Sequence, residues 1–181
     1  MNFPNRIAPI DPASAAPEAK DILDQVRASY GMLPNVHRVL ALSPAALAGY
    51  AALAGALDGG TLPARLKEQI ALLAAATNAC DYCLAAHRVT ARFSGLAEHE
   101  IAAAELGEAA DPTESAALAF AAVVLRETGG ISDDAFDAAR RAGLADDAMI
   151  EIVAHLVANI FTNTVNRLAR TPIDFGRVGK A

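Results

Sequence analysis

Cys80 and Cys83 are the only two cysteines in a chain of 181 residues, and His87 follows four residues after the second. Two sulfurs at that spacing can close a disulfide, share a metal, or carry redox chemistry in turn. On a helix, positions 80, 83 and 87 fall on one face. Asn78 reads as the N-cap of that helix, with Asp81 in its first turn. Both sulfurs then lie near the positive end of the helix dipole, which favours thiolate over thiol. His87 sits one turn below Cys83, placed to accept a proton or return one. The dipole favours Cys80 as the attacking sulfur and the histidine favours Cys83, so spacing alone leaves the nucleophile open.

Glu68 is the second half of this constellation. It lies ten residues before Asn78, and His87 lies nine after it. A short link at Asn78 makes the flanking helices antiparallel. With a rise of about 1.5 Å per residue, both side chains sit roughly 14 Å from the turn. A carboxylate level with an imidazole fixes its tautomer and raises its basicity. The spacing predicts a relay of Glu68, His87, Cys83 and Cys80.

The elements that must position these residues are helices. Prolines and glycines divide the chain into blocks at about 17–29, 34–42, 44–57, 63–77, 78–95, 97–106, 113–127, 133–142 and 146–170, flanked by an extended arm, 1–13, and a tail, 171–181. Leu66, Ile70, Leu73 and Ala74 follow the helical period. Gly95-Leu96-Ala97-Glu98 and Gly143-Leu144-Ala145-Asp146 echo one another at two helix starts. No segment reads as a strand. Alanine dominates, aromatics are 5% and tryptophan is absent. That composition suits closely packed helices and disfavours a sheet. The fold class expected is all-α, in one domain.

Hydrophobic residues are 54% and charged residues 20%, with a net charge of −6. The low charged fraction predicts surface covered by partner subunits. With no basic stripe, nucleic acid is not expected as a partner. The apolar stretch 148–161 is interrupted by Glu151, His155 and Asn159, so no membrane span is expected. The first residues show no apolar run of a secretory signal, which points to a reducing, cytoplasmic setting.

Zinc is the main alternative for the sulfurs, with His87 third and His37, His99, His155 or a carboxylate fourth. The chain lacks a second CxxC or an HxxxH, and a structural zinc site wants four ligands. No metal and no cofactor is therefore expected. Asn159, Asn163 and Asn166 share a face of the last helix and read as an amide network at a subunit interface, with His155 within reach. His37 is placed to border the site; His99 reads as a solvated first-turn residue.

Glu68, Cys80, Cys83 and His87, together with the text Leu66-Lys67-Glu68-Gln69-Ile70-Ala71-Leu72 and Cys80-Asp81-Tyr82-Cys83-Leu84-Ala85-Ala86-His87, resemble the signature of the AhpD-like alkylhydroperoxidases of the carboxymuconolactone decarboxylase superfamily. Leu33-Pro34-Asn35-Val36, Phe161-Thr162-Asn163 with Asn166, and Ile173-Asp174-Phe175 resemble its peroxidase-related branch. The resemblance implies an all-α fold and assembly into trimers or hexamers. It implies reduction of a hydroperoxide in which Cys83 attacks, Cys80 resolves, and a dithiol, in some members a lipoyl-bearing protein, restores the pair. Those members carry a histidine just before the second cysteine; this chain has Tyr82, which is no base at neutral pH.

The function expected is a thiol-dependent hydroperoxide reductase. Two rivals are a decarboxylase-like or isomerase-like enzyme using Glu68 and His87 as acid and base, and a thiol redox sensor without turnover.

Overall fold

The computed structural model describes residues 4–175, so the first three residues of the expected arm and the last six of the expected tail lie outside the described residues. After a short 3₁₀ turn at Pro12–Ser14, nine helices follow among the described residues: α1 (Pro17–Tyr30), α2 (Asn35–Leu40), α3 (Pro44–Asp58), α4 (Ala64–Thr77), α5 (Asp81–Phe93), α6 (Glu98–Glu105), α7 (Pro112–Glu127), α8 (Asp133–Arg141) and α9 (Asp146–Ala169). No strand occurs among the described residues. The all-α expectation holds.

Local chemistry explains where the helices begin and end. Proline opens α1, α3 and α7, where its missing N–H is no loss. The side chains of Ser43, Asp111 and Ser132 accept hydrogen bonds from first-turn N–H groups of α3, α7 and α8. Lys67 Nζ donates to the carbonyls of Leu57 at 2.8 Å and Asp58 at 3.1 Å, a cation at the negative end of α3. The two echoed segments build the same turn. Gly95 and Gly143 take φ of 84° and 93°, and the N–H groups of Leu96 and Leu144 return to the carbonyls of Ala91 and Ala139.

Helix α4 is the centre. It packs against α5, α6, α7 and α9, and its residues are buried nearly all round, from Leu66 through Ala75. On one side Ile70, Leu118, Ile152 and Leu156 anchor a core shared with α7 and α9. On the other, Leu23, Leu40 and Leu47 pack with Cys80, Tyr82 and Cys83. Each fully buried aliphatic contributes about 1.5–3 kcal/mol. The sulfurs therefore sit in a packed core, bounded by α1, α2 and α3.

Candidate functional site

The turn between α4 and α5 sets the sulfur geometry. Ala79 takes φ of 49°, in the left-handed region. Its N–H bonds to Ala76 O at 3.0 Å, and the N–H of Cys80 bonds to Ala75 O at 2.9 Å. This pattern closes the C-terminus of α4 with Asn78 as its C-cap. Asn78 is therefore not the N-cap of the next helix. That position belongs to Cys80, which is extended at φ −100° and ψ 91°, with its Sγ accepting from the Cys83 N–H at 3.3 Å. The expectation of both cysteines inside one helix is corrected: Cys80 caps α5 and Cys83 lies in its first turn. A cysteine sulfur replaces the side-chain oxygen of the usual Ser, Thr, Asp or Asn. Asn78 Nδ2, released from capping, donates to Asn163 Oδ1 at 2.9 Å.

Cys80 and Cys83 are joined in a disulfide, with Cα atoms 5.3 Å apart, within the span a disulfide bridges. Both are buried. Asn166 Nδ2, from α9, donates to Cys83 Sγ at 3.3 Å.

Glu68 and His87 meet across the α4–α5 pair, with Nδ1 to Oε2 at 3.0 Å. Thr90 Oγ1 donates to the same oxygen at 2.6 Å. Burial alone would raise the Glu68 pKa. The hydrogen bonds from His87 and Thr90, and the charge of His87, outweigh it and hold the carboxyl below its ordinary value. With Nδ1–H directed to Glu68, His87 keeps Nε2 for a reacting partner.

Cys83 and His87 line one cavity of about 100 Å³, whose other walls come from α1, α2, α3, α9 and Phe175. The Tyr82 hydroxyl accepts from the Val36 N–H at 3.1 Å, and its ring meets Phe175 edge-on at 5.5 Å. Burial pushes its phenol pKa up, and the negative charge of Asp174 adds to that. Tyr82 is a tie between α5, α2 and the C-terminal segment rather than a proton carrier. Asp174 Oδ2 accepts from the Asn35 N–H at 2.7 Å, and Asn35 Nδ2 donates to Pro172 O at 3.0 Å. These contacts explain why the 33–36 and 173–175 segments matter together: each clamps the other beside the cavity.

The amide face of α9 points inward. Asn163 and Asn166 are buried on Asn78 and Cys83, and Asn159 Nδ2 turns back to His155 O at 2.9 Å. For Asn163 and Asn166 the subunit-interface reading is corrected: both are buried within the chain, at the sulfur turn. His155 lies 3.8 Å from Glu151 and takes no part at Cys83. His37 borders the cavity, while His99 is exposed on α6. Among the described residues no group of three His, Cys, Asp or Glu could hold a metal ion. Sequence reasoning missed Thr90, although its place three residues after His87 put it on the same face, and missed Asn166 as a partner of sulfur.

Residues 44–127, which hold all four candidate residues, match the carboxymuconolactone decarboxylase family. A stretch of 88 residues is 33% identical to an alkyl hydroperoxide reductase of Mycobacterium tuberculosis, covering 48% of this chain and 26% of that protein. The chain thus spans about a quarter of that relative's length. A crystal structure of a peroxidase-related protein with an AhpD core from Ralstonia eutropha superposes with a TM-score of 0.83, at 24% identity, over 99% of this chain and 100% of that one. The debrominase Bmp8, solved in complex with 2,3,4-tribromopyrrole, superposes with a TM-score of 0.78, at 23% identity, over 96% of this chain and 93% of that one. Residues 44–127 thus resemble the carboxymuconolactone decarboxylase family, and the chain around them shares its fold with the AhpD core of the Ralstonia protein.

Proposed function

We propose that this protein reduces organic hydroperoxides with the Cys80–Cys83 pair and a Glu68–His87 proton relay. The observation that carries the reading is the Cys80–Cys83 bond itself, formed beside a carboxylate-paired histidine on the wall of the same cavity. The Cys83 thiolate attacks the outer peroxide oxygen; an S–O bond forms and the O–O bond breaks. The departing alkoxide takes a proton from His87 and leaves as the alcohol. The Cys80 thiolate then attacks the sulfur of the Cys83 sulfenic acid, closing the disulfide and releasing hydroxide, which is protonated to water. A dithiol reduces the disulfide by exchange and is itself oxidised. Glu68 steadies the imidazolium whenever His87 holds the extra proton. Asn166 donates to Cys83 Sγ and favours its thiolate.

Similarity to a mycobacterial alkyl hydroperoxide reductase supports this reading. Acid–base chemistry by Glu68 and His87 alone would leave the sulfur bond and the Asn166 contact without a purpose. A lipoyl-bearing protein as dithiol donor, self-association, and a reducing cytoplasmic setting belong to the same proposal. The last suits a pair that must return to the dithiol at each turnover.

Intact mass after brief treatment with tert-butyl hydroperoxide tests the roles. Cys80→Ser, which keeps Cys83, gains about 16 Da as a sulfenic acid, and Cys83→Ser stays unmodified. The opposite pattern exchanges the two cysteines; no modification of either variant removes the peroxide chemistry.

A further inference from the structure

All three tyrosines of the chain, Tyr30, Tyr50 and Tyr82, line the cavity beside Cys83. Pro34, Val36, Ala86 and Phe175 extend the apolar wall, and among the described residues neither a cation of Lys or Arg nor a carboxylate lines it. Two polar atoms of lining residues are buried without a hydrogen-bond partner among the described residues, His37 Nδ1 and Asn166 Oδ1. Buried polar atoms are nearly always partnered, so an unpartnered one on a residue that lines a cavity is the atom a ligand can satisfy. His37 as a residue is only 9% exposed. Its ring lies between Tyr30 and Tyr50, with centroids 6.1 and 6.0 Å away. The relay of Glu68 and His87 does not use the His37 ring.

We propose that His37 is the polar anchor of a substrate pocket that takes a compact, uncharged organic molecule with a hydroxyl or hydroperoxyl head, its apolar body held by the tyrosine wall. The identity of the head as a peroxide rests on the hydroperoxide reading above; the anchor and the charge selection do not. A hydroxyl both donates and accepts, so it satisfies Nδ1 in either imidazole tautomer. Burial lowers the His37 pKa to about 4, against the opposing pull of Asp174, so the ring carries no charge at neutral pH. Among the described residues no cation on the wall would meet an anion, Glu68 pairs with His87, and the negative charge of Asp174 acts at His37. An apolar cavity of about 150 Å³ accepts benzene, so about 100 Å³ suits a body the size of a tert-butyl group.

The test is binding of tert-butanol to the full disulfide-bonded chain. The chain has no tryptophan, so its intrinsic fluorescence comes from the three wall tyrosines. A saturable change is expected for the wild type, and the ¹⁵Nδ1 resonance of His37 moves with it. His37→Phe weakens binding about fivefold, the worth of one hydrogen bond, and His37→Asn, which keeps a polar atom near Nδ1, restores most of it. Trimethylacetate, the same body with a carboxylate, gives no saturable change over the same range. The proposal is overturned by equal binding to His37→Phe, by trimethylacetate binding as well as tert-butanol, by an unmoved His37 resonance, or by no saturation. The resonance and the trimethylacetate comparison use the wild type alone and stand even where a variant fails to fold. Binding of tert-butanol without turnover of tert-butyl hydroperoxide sinks the peroxidase reading and leaves this pocket intact.

Discussion

Glu68 receives two hydrogen bonds on one oxygen, from His87 and from Thr90. In the proposed relay it orients the imidazole and holds its proton on Nδ1. Glu68→Gln keeps the shape and removes the charge, and is expected to lower kcat/KM for tert-butyl hydroperoxide at least tenfold, roughly the lower range for a general acid–base group. Steady-state kinetics with a dithiol checks this; an unchanged value removes Glu68 from the relay. The sign of its pH effect follows from its lowered folded pKa. Its stabilising contribution is full above the unfolded value of about 4.3 and is lost as pH falls through the lower folded value. Tyr82 shows how much one residue type reveals. Its inability to act as a base was plain from chemistry alone, but its work as a hydrogen-bonded tie to Val36 needed the fold.

Helix ends decide where the sulfurs stand. The α4–α5 hairpin was readable from Pro63 and the spacing of Leu66, Ile70 and Leu73, and so was the level meeting of Glu68 with His87. The capping was not. Left-handed caps are usually glycine, and Ala79 in that conformation gives no such mark, while Asn78 carries the look of an N-cap and acts as a C-cap. The link between α3 and α4 uses a similar device at long range. Glu151 of α9 accepts from Thr61 N–H at 2.8 Å, Thr61 Oγ1 at 2.7 Å and Leu62 N–H at 3.0 Å. Burial opposes its ionisation, but these bonds and Lys67 hold its pKa down to about 2. A Cβ at Gly60 would run into this carboxylate, which is why the chain is bare there. Glu151→Ala is expected to cost about 3 kcal/mol, leaving those donors without their charged acceptor. Urea unfolding should show a lower midpoint at unchanged slope. Glu151 contributes fully above about pH 4.3, and its share is lost as pH falls toward 2, so the variant should lack that part of the acid limb.

At the scale of the molecule, α9 does two jobs. Its inner face carries Asn163 and Asn166 to the sulfur turn. Its outer face exposes Ile150 (71%), Val157, Phe161 and Leu168 (56%), with Ala154 and Thr164 completing alternating steps of three and four. Such a stripe is the seam along which helices pair, and a second copy of this chain is the occupant that the low charged fraction favours. Sedimentation should give a mass above the 18.7 kDa of one chain. Val157→Glu with Leu168→Glu should return it to that mass with helix content unchanged, and a wild type that sediments as a single chain would refute the assembly. This face was hidden in the sequence because α9 is apolar on both sides. Its length and hydropathy would suit a membrane span, but it packs against α2, α3, α4, α5 and α7, and Asn163 and Asn166 are buried on that packed side.

Glu68, Cys80, Cys83, His87 and Thr90 all lie on one hairpin, whereas most of the cavity wall is lent by α1, α2, α3, α9 and Phe175. On the proposed reading, the reactive set and the selecting wall thus lie on different stretches of chain. Drift in the lenders can change which molecule is admitted while the hairpin goes on reacting as before, and a lineage built this way can change its diet without relearning its chemistry.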